Sequence, residues 1–252
     1  MSRIIIHPHK FGSAGAKALS RGLPAVRVRD TGRYRKRVND FIINWGNTLT
    51  PSWGKPSLNQ PEAVSLAVNK VTALNTMKEA GVRTVEHTSD SDIVQQWLDE
   101  GHSVYARTLT RASEGRGIHV LTGGMQIPDA RLYTKGIKDG TEYRLHVFDG
   151  VVIDYTKKVP IDPLSTPNSD VKSHGNGWTF ARNVERRPSL ETEAVKAVRA
   201  LGLDFGAVDI ITFGKTGVRV LEVNSACGLV DGGRTYQNYV NAIRNYVRTK
   251  VS

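Results

Sequence analysis

The sequence predicts a mixed fold, in which an α/β unit over residues 1–87 is followed by a region of hairpins and helices. Two observations support this prediction. Short strand and helix patterns alternate over the first 46 residues, which is typical of a small parallel α/β unit. Further along the chain, paired strand patterns flank the dipeptide Asp149-Gly150, which is a strong turn signal for an antiparallel hairpin.

The composition is that of a folded protein without covalent staples. The chain has 252 residues, enough for one elaborate domain or two compact ones, and 39% of them are hydrophobic, which excludes global disorder. Cys227 is the single cysteine, so an intramolecular disulfide and a multi-cysteine zinc site are excluded. No apolar run is long enough for a signal peptide or a membrane span. We therefore expect a soluble, cytoplasmic protein without a membrane partner.

The first 87 residues contain short β patterns and one long helical pattern. Strands are expected at residues 3–7, 25–29 and 40–46, and a helix at residues 14–21. A loop rich in Pro, Gly and Asn follows. Apolar residues then recur at helical spacing from Pro61 until Gly81, which predicts one continuous helix.

The remainder of the chain alternates helices with strand pairs. Helices are expected at residues 90–100 and 189–201, and a polar loop without periodicity at residues 160–176. Strand patterns lie at residues 103–107, 117–121, 142–148, 151–155, 205–213 and 218–224.

The last two strand patterns carry the most specific functional signal. If Phe213 pairs with Val218 across a four-residue turn, Asp209 lies directly opposite Glu222, and Asn224 shares the face of Glu222. Two directly opposed carboxylates repel each other, and a hard divalent cation removes that cost. Two carboxylates and an amide oxygen are ligands that suit Mg²⁺. The residues expected on the opposite, core-facing side are Val208, Ile210, Leu221 and Val223.

A different turn length is the alternative for this hairpin. A turn of three or five residues would shift the register by one position and turn one of the two carboxylates into solvent. The sequence alone leaves this alternative open.

Two weaker signals also point to phosphate binding. The loop from Ser113 to Gly117 has glycines that let backbone N–H groups approach a phosphate, although such a loop is more often only a hairpin connection. Several cations lie in the interior of the chain, and together with the carboxylates they indicate a site for Mg²⁺ and polyphosphate. These cations are Arg107, Arg144, Lys157, Lys158 and Arg182.

The formal net charge is +11, and its densest cationic run covers residues 27–37. Such a run can meet a phosphate backbone, an acidic protein segment or only water. Nucleic acid is the less favoured partner because Tyr34 is the single aromatic residue of the run. The charge favours an acidic substrate such as glutamate or an acidic chain end.

The chain resembles the ATP-grasp superfamily over nearly its whole length. The segments that carry the resemblance are residues 69–74 and 79–82, 113–118, 142–147, 201–209 and 221–229. Among ATP-grasp proteins it is most similar to small phage-encoded members and to bacterial ligases that add glutamate to a ribosomal protein. The resemblance implies an α/β N-terminal unit (1–87), then an α+β ATP-grasp fold with a lid subdomain (88–135) and a C-terminal antiparallel-sheet subdomain (136–252). A phage origin would place the protein in the host cytoplasm.

The resemblance also implies a reaction and a set of residues. In this superfamily a carboxylate attacks the γ-phosphate of ATP, and an amine then displaces phosphate from the resulting acylphosphate. The implied cofactors are ATP and Mg²⁺, with Mn²⁺ as an alternative metal. The implied metal ligands are Asp209, Glu222 and Asn224. The implied ATP-binding residues are Lys70, Arg107, Ser113, Glu114, Gly115, Gly117, Tyr133, Thr134 and Lys135. The implied catalytic and substrate-side residues are Arg144, Lys157, Arg182 and Asn183.

Three departures from the superfamily pattern concern the nucleotide and the last strand. Arg107 stands where relatives have a lysine that contacts ATP. The segment 131–135 lacks the usual glutamate of the adenine hinge, so backbone groups would have to recognise the base. Cys227 stands where many relatives have proline, and we interpret it as a packed small residue rather than a nucleophile.

The sequence therefore predicts an ATP-dependent carboxylate–amine ligase that acts on a peptide, a protein or an amino acid. Two alternatives remain open at this point. One is a kinase-like or ATPase use of the same fold, and the other is a nucleotide-gated protein that binds nucleic acid or an acidic partner. The identity of the substrates and the oligomeric state cannot be predicted.

Overall fold

The computed structural model describes residues 2–30, 33–109, 117–164, 171–172 and 174–251. Three β-sheets and six α-helices lie within these residues. Three residues predicted to bind ATP lie outside the described part of the chain, namely Ser113, Glu114 and Gly115. No helix among the described residues combines the length and the apolar character that crossing a membrane would require.

The first sheet is small and parallel, as the sequence predicts. Its strands are β1 (Arg3–Pro8), β2 (Val26–Arg27) and β3 (Asp40–Trp45), in the order β2-β1-β3. Helix α1 (Ala14–Gly22) begins at Ser13, whose side chain accepts a hydrogen bond from the Ala16 N–H, and packs against one face of the sheet. This arrangement orients the carboxyl ends of all three strands toward the same edge.

The helical pattern after Pro61 forms two helices rather than one. Helix α2 (Pro61–Val68) ends before Asn69, which adopts an extended conformation, and α3 (Lys70–Glu79) begins directly after it. The Asn69 side chain accepts hydrogen bonds from the N–H groups of Val71 and Thr72, so it caps α3. The break places Lys70 in the first turn of a new helix.

These two helices do not pack with the small sheet. The apolar side chains of residues 64–85 lie in the same core as the large C-terminal sheet. The boundary of an N-terminal unit at residue 87 stays a prediction. Of residues 1–87, the part through Trp45 and Leu58 packs around the small sheet, and the later helices do not. The reason is that α2 and α3 bury their apolar faces against strands that come more than one hundred residues later in the chain.

We expect the Asn69→Ala variant to lose about 1 kcal/mol of unfolding free energy, because the first N–H groups of α3 would lose their side-chain acceptor. Urea unfolding of the two proteins measures the difference. The exposed mid-helix variant Asn241→Ala is the matched control, and it should be neutral or slightly stabilising. A neutral Asn69→Ala variant would contradict the capping role.

The second sheet is antiparallel and has four strands in the order β4-β7-β5-β6. Its elements in chain order are β4 (His87–Thr88), α4 (Ser91–Asp99), β5 (Val104–Arg107), β6 (Ile118–Leu121) and β7 (Leu132–Lys135). Val94, Trp97 and Leu98 of α4 pack on the sheet and form a separate core with it. This sheet is built almost entirely from the segment 88–135 that was predicted as the lid, and we call it the lid sheet; β7 occupies an interior position between β4 and β5.

The third sheet is the largest and is fully antiparallel, with the strand order β10-β9-β8-β11-β12. Its strands are β8 (Thr141–Phe148), β9 (Val151–Pro160), β10 (Trp178–Ala181), β11 (Phe205–Phe213) and β12 (Gly217–Asn224). Helix α5 (Pro188–Ala200) covers one face together with α2 and α3, and α6 (Arg234–Lys250) packs against the other face. A 3₁₀ turn lies at His174–Asn176.

The hairpin of β11 and β12 has the predicted pairing of Asp209 with Glu222, but its turn differs from the predicted one. Phe213 pairs with Gly217, not with Val218, so the turn has three residues and the register near it is shifted by one position. A β-bulge between Asp209 and Ile210 adds one residue on the facing strand and cancels the shift. Asp209 and Glu222 are consequently cross-strand partners, as predicted.

Four elements have no counterpart among those expected from the sequence, namely β4, β7, β10 and α6. Strand β10 is short and follows the long polar loop, and α6 closes the described chain. The signal for α6 was present, because Tyr236, Tyr239, Val240 and Ile243 are buried at helical spacing. Tyr239 packs edge-on against Trp45 of β3, and therefore α6 connects the small sheet to the large one.

Candidate functional site

The candidate site centres on two carboxylates from neighbouring strands. Asp209 of β11 is paired across the sheet with Glu222 of β12 and, on its other side, with Arg144 of β8. Side chains of directly paired residues share a face. The three side chains therefore lie in a row on the face opposite Val208, Ile210 and Val223, which are buried in the core.

Each carboxylate is paired with a cation. The guanidinium of Arg144 donates from Nε and Nη2 to the two oxygens of Asp209 at 2.6 Å each, which is a bidentate ion pair. Lys70, at the start of α3, donates from Nζ to Oε2 of Glu222. Burial lowers the pKa of Arg144, but Asp209 raises it and keeps it above its ordinary value.

A third cation comes from the lid sheet. Arg107 ends β5 and lies close enough to Glu222 for the carboxylate to affect its titration. Burial lowers the pKa of Arg107, and Glu222 opposes that shift. Burial likewise raises the pKa of Glu222, but Lys70, Asn224 and Arg107 outweigh it and hold the pKa well below its usual range. Glu222 is therefore ionised at neutral pH, among three cations from three different parts of the chain.

The chemical types of the three side chains Asp209, Glu222 and Asn224 fit Mg²⁺. Asn224 donates from Nδ2 to Oε1 of Glu222 at 3.0 Å, so its side-chain amide lies beside the carboxylate pair. Within the described ranges no group of three His, Cys, Asp or Glu side chains could hold a metal ion. Two carboxylates and one amide suit Mg²⁺ when substrate phosphates supply further ligands. Since both carboxylates are bonded to cations, metal binding requires these cations to change partners.

Of the two lysines on β9, Lys158 rather than the predicted Lys157 lies on the face that carries Arg144. Lys157 is the cross-strand partner of Tyr143, whose side chain is in the core, so Lys157 lies on the face away from Arg144. Lys158 lies on the site face, where Nζ donates to Oε2 of Glu142 at 2.6 Å. The alternation of side chains along β9 causes this difference, and it could not be used before the register was known.

The ring of Phe180 on β10 contacts the cationic groups of Arg144 and Lys158, and this residue was not predicted from the sequence. Its ring lies 4.8 Å from the Arg144 guanidinium carbon and 5.9 Å from the Lys158 nitrogen. Cations over an aromatic face are attracted by the ring quadrupole. The only available signal was the aromatic residue itself, since β10 was not predicted.

Arg182 and Asn183 lie further along the same sheet. Arg182 donates from Nη1 to both oxygens of Asp154 at 3.0 Å and from Nη2 to Thr235 of α6 at 2.8 Å. Asn183 has a φ of 62°, a left-handed conformation that ends the pairing with β9. Both residues line a cavity of about 200 Å³. Arg182 is therefore committed to an ion pair, and the lining of this cavity includes none of the three residues of the site row.

The predicted hinge residues are used within the lid. The Tyr133 side chain is in the lid core, where its hydroxyl donates to the Pro128 carbonyl at 2.5 Å. Thr134 is buried, and Lys135 pairs with Glu100 at 3.3 Å. Tyr133 and Thr134 pair on both sides, with β4 and β5, so their backbone groups are also engaged. The contacts of residues 133–135 in the structure are thus made within the lid sheet, and their nucleotide contacts stay a prediction.

Gly117 has the conformation expected of a loop glycine. Its φ is 72°, and its carbonyl accepts hydrogen bonds from the N–H and hydroxyl of Thr108 at 3.0 and 3.2 Å. These contacts close the base of the connection between β5 and β6. The rest of the predicted phosphate loop lies outside the described residues.

A buried polar cluster lies next to the site row. Nδ1 of His146 lies 3.2 Å from the Tyr239 hydroxyl, which also accepts a hydrogen bond from Sγ of Cys227 at 3.4 Å. Burial raises the pKa of Cys227 to about 11, so the thiol is protonated at neutral pH. The expectation that Cys227 is a packed residue agrees with this environment. Burial, together with Arg144, lowers the pKa of His146 to about 3.

We expect His146 to make stability depend on pH between about 6.5 and 3. The pKa of His146 is lowered on folding, so the unfolded chain binds a proton that the folded chain excludes. The stabilisation is complete above the unfolded pKa of about 6.5 and decreases as pH falls, by up to about 1.4 kcal/mol per pH unit. Unfolding free energies at pH 7 and 5.5 measure the decrease. A His146→Gln variant should lose about 1 kcal/mol less over that interval, and an equal loss would contradict the assignment.

Similar solved structures share this architecture. No protein-family profile and no curated protein matches the sequence. The ATP-grasp ligase PsnB, in complex with a phosphomimetic variant of its minimal precursor, Mg and ADP, is 13% identical, with a TM-score of 0.69 and coverage of 97% of this chain and 98% of that one. D-alanine–D-alanine ligase from Bacillus anthracis is 12% identical, with a TM-score of 0.70 and coverage of 100% and 98%.

A third structure, the RimK domain ATP-grasp protein from Sphaerobacter thermophilus, is 16% identical, with a TM-score of 0.65 and coverage of 97% and 99%. At such identities the likeness concerns the fold. The chain has the ATP-grasp fold, with an N-terminal α/β part and antiparallel sheets, and the expectation from sequence is confirmed at this level.

Proposed function

We propose that this chain is an ATP-dependent ligase that joins a carboxylate to an amine on a peptide, protein or amino-acid substrate. The single observation that carries the proposal is the cross-strand pair Asp209 and Glu222, surrounded by Lys70, Arg107 and Arg144. Two adjacent carboxylates are costly in a sheet unless they bind a cation, and three cations around them attract a polyphosphate.

The proposed roles follow from where the side chains lie. Asp209, Glu222 and Asn224 would hold Mg²⁺, which neutralises charge on the β- and γ-phosphate oxygens when bound. Lys70 and Arg107 approach Glu222 from α3 and from the lid sheet, so they are placed to contact phosphate from two sides. Arg144 presents a fixed, planar guanidinium at one end of the row, beside Asp209, which suits a phosphoryl group in transfer.

The proposed chemistry consists of two transfers. A carboxylate oxygen of the substrate attacks the γ-phosphorus, the bond to the bridging oxygen breaks, and ADP leaves. The amine nitrogen then attacks the carbonyl carbon of the acylphosphate, loses a proton, and expels inorganic phosphate. The acylphosphate hydrolyses in water, so closure of the lid sheet over the large sheet would protect it.

The names of the similar structures support the substrate class. PsnB is described in complex with a precursor, and a RiPP-associated ATP-grasp ligase from Chryseobacterium gregarium with ADP and a leader and core peptide. D-alanine–D-alanine ligase is named for an amino-acid substrate. Both kinds of substrate supply the carboxylate and the amine that the proposed reaction needs.

The proposal is tested by mixing the chain with ATP, Mg²⁺ and pools of amino acids, peptides and proteins. We expect ADP release that depends on one pool, together with a condensed product whose mass equals the two substrates less one water. ADP release without any condensed product would favour an ATPase. Absence of ADP release with every pool, including peptides, would contradict the proposal.

A further inference from the structure

The positive charge of this protein is concentrated in its N-terminal part. The first 60 residues contain eleven lysines and arginines, two aspartates and no glutamate, so they carry +9 of the total charge of +11. Residues 61–252 are close to neutral by the same count, with 24 cations and 22 acids. A single-signed surface of this kind attracts a partner of opposite charge over about a Debye length.

The two aspartates of this part are committed to internal contacts. Asp40 accepts hydrogen bonds from Arg3 at 2.6 and 2.8 Å and from the Tyr34 hydroxyl at 2.5 Å. Asp30 accepts from His7 at 2.6 Å and from Asn47 at 3.0 Å. Neither is therefore available to neutralise the surface cations.

Eight cations of the first 60 residues have no carboxylate partner in the described part of the chain, and we call six of them the basic face. Five of them are exposed and Arg27 is partly exposed. They are Lys10, Arg27, Arg29, Arg33, Arg35 and Arg37. They come from the loop after β1, from the edge strand β2 and its continuation, and from the segment that leads to β3.

Two arginines of the basic face are held in place by an aromatic ring. The guanidinium carbons of Arg27 and Arg29 lie 4.5 and 4.1 Å from the centre of the Phe11 ring, and Arg27 also donates to the Phe11 carbonyl at 2.7 Å. Held side chains lose less conformational entropy on binding. The ring contacts use the guanidinium faces and leave N–H donors for a carboxylate.

The loop that carries Phe11 leads from the basic face toward the segment that follows β12. Phe11 lies four residues before Gly15 of α1, and a Cβ at Gly15 would lie 2.9 Å from the carbonyl oxygen of Cys227. The segment of Cys227 directly follows Asn224, at the end of β12. A chain that lies on the basic face can therefore continue toward the carboxylate pair.

We propose that the basic face docks an acidic polypeptide segment that belongs to the ligase's macromolecular substrate. The role as substrate rests on the proposed function, whereas the docking itself does not. Recognition is by pairs of arginine and carboxylate side chains. Alternate side chains of an extended chain lie on the same side, as Arg27 and Arg29 do along β2 and its continuation, so the two spacings are similar.

The arrangement of the aromatic residues favours a polypeptide over nucleic acid. Single-stranded nucleic acid is bound through bases stacked on free aromatic faces. Phe11 is contacted by two guanidinium groups, and Tyr34 packs edge-on against Trp53 with ring centres 5.2 Å apart. Trp53 in turn packs on His7 at 5.1 Å. These rings are therefore occupied by contacts within the fold and with the arginines, rather than by stacking with bases.

The test is fluorescence anisotropy of a labelled decaglutamate peptide, compared with a labelled oligothymidylate of equal charge. Arg29→Gln combined with Arg35→Gln removes two charges from the basic face. The matched control is Lys138→Gln combined with Lys215→Gln, which removes two exposed charges at the far end of the large sheet. We expect decaglutamate to bind more tightly than oligothymidylate, to weaken as salt rises, and to weaken about tenfold in the first variant only.

Equal or tighter binding of oligothymidylate would overturn the proposal in favour of nucleic acid. Equal weakening in both variants, or no binding of decaglutamate at low salt, would overturn it altogether. ADP release with the amino-acid and peptide pools is measured on the same samples. Peptide docking without ADP release would contradict the proposed ligase and leave the docking surface intact.

Discussion

Replacement of Glu222 by glutamine is expected to reduce ADP formation by about 10²-fold or more. The two side chains have the same shape, but glutamine removes one of the two negative charges proposed to hold Mg²⁺ and the partner of Lys70. Fixed charges at the transferring phosphoryl group are worth several kcal/mol in a site shielded from water. Steady-state ADP release at saturating ATP, with the active substrate pool, measures the effect.

The control for this variant is Glu79→Gln. Glu79 ends α3, the helix that begins with Lys70, and it is exposed, so its replacement removes the same charge far from the carboxylate pair. We expect near-normal ADP release from the control variant. Comparable activity in Glu222→Gln and in the unchanged chain would show that the carboxylate pair is not a phosphate–metal site.

The Arg144→Ala variant is expected to lose about 3–5 kcal/mol of unfolding free energy. Asp209 is 7% exposed and receives two hydrogen bonds from Arg144, so removal of the guanidinium leaves a buried carboxylate without its partner. Urea unfolding at pH 7, with the m-value checked for constancy, gives the difference.

The double variant Arg144→Ala with Asp209→Ala separates the ion pair from simple packing. Removing both partners avoids the unpaired buried charge, so we expect it to recover part of the stability that the single variant loses. If the double variant were less stable than Arg144→Ala by the full cost of a second deletion, the ion pair would not be the source of the effect.

The carboxylate pair could be predicted from the sequence because the pattern of β11 and β12 is strong and local. The predicted length of the turn was wrong, but a β-bulge offsets the resulting shift in register. A bulge beside Asp209 could not be read from the single sequence, because Val220 and Leu221 are both apolar and either could face the core. The correct pairing of Asp209 with Glu222 therefore rested on two unpredicted features that cancel.

The remaining site could not be predicted because it depends on long-range contacts. Lys70 was placed near phosphate by resemblance, but its position follows from the break at Asn69, where a capping side chain interrupts an otherwise continuous helical pattern. The choice between Lys157 and Lys158 depends on which face of β9 meets the core. Phe180 belongs to the edge strand β10, which pairs with β9 in this sheet. Tertiary packing decides such details.

The measurement that tests the central claim most directly follows oxygen between substrate and phosphate. The chain is incubated with ATP, Mg²⁺ and the amino-acid and peptide pools, whose carboxylates carry ¹⁸O, in ordinary water, and the released phosphate is analysed by mass. An acylphosphate mechanism transfers one ¹⁸O atom from the carboxylate to each phosphate, and this is the result we predict. Phosphate released without ¹⁸O would show hydrolysis by water and would contradict the ligase.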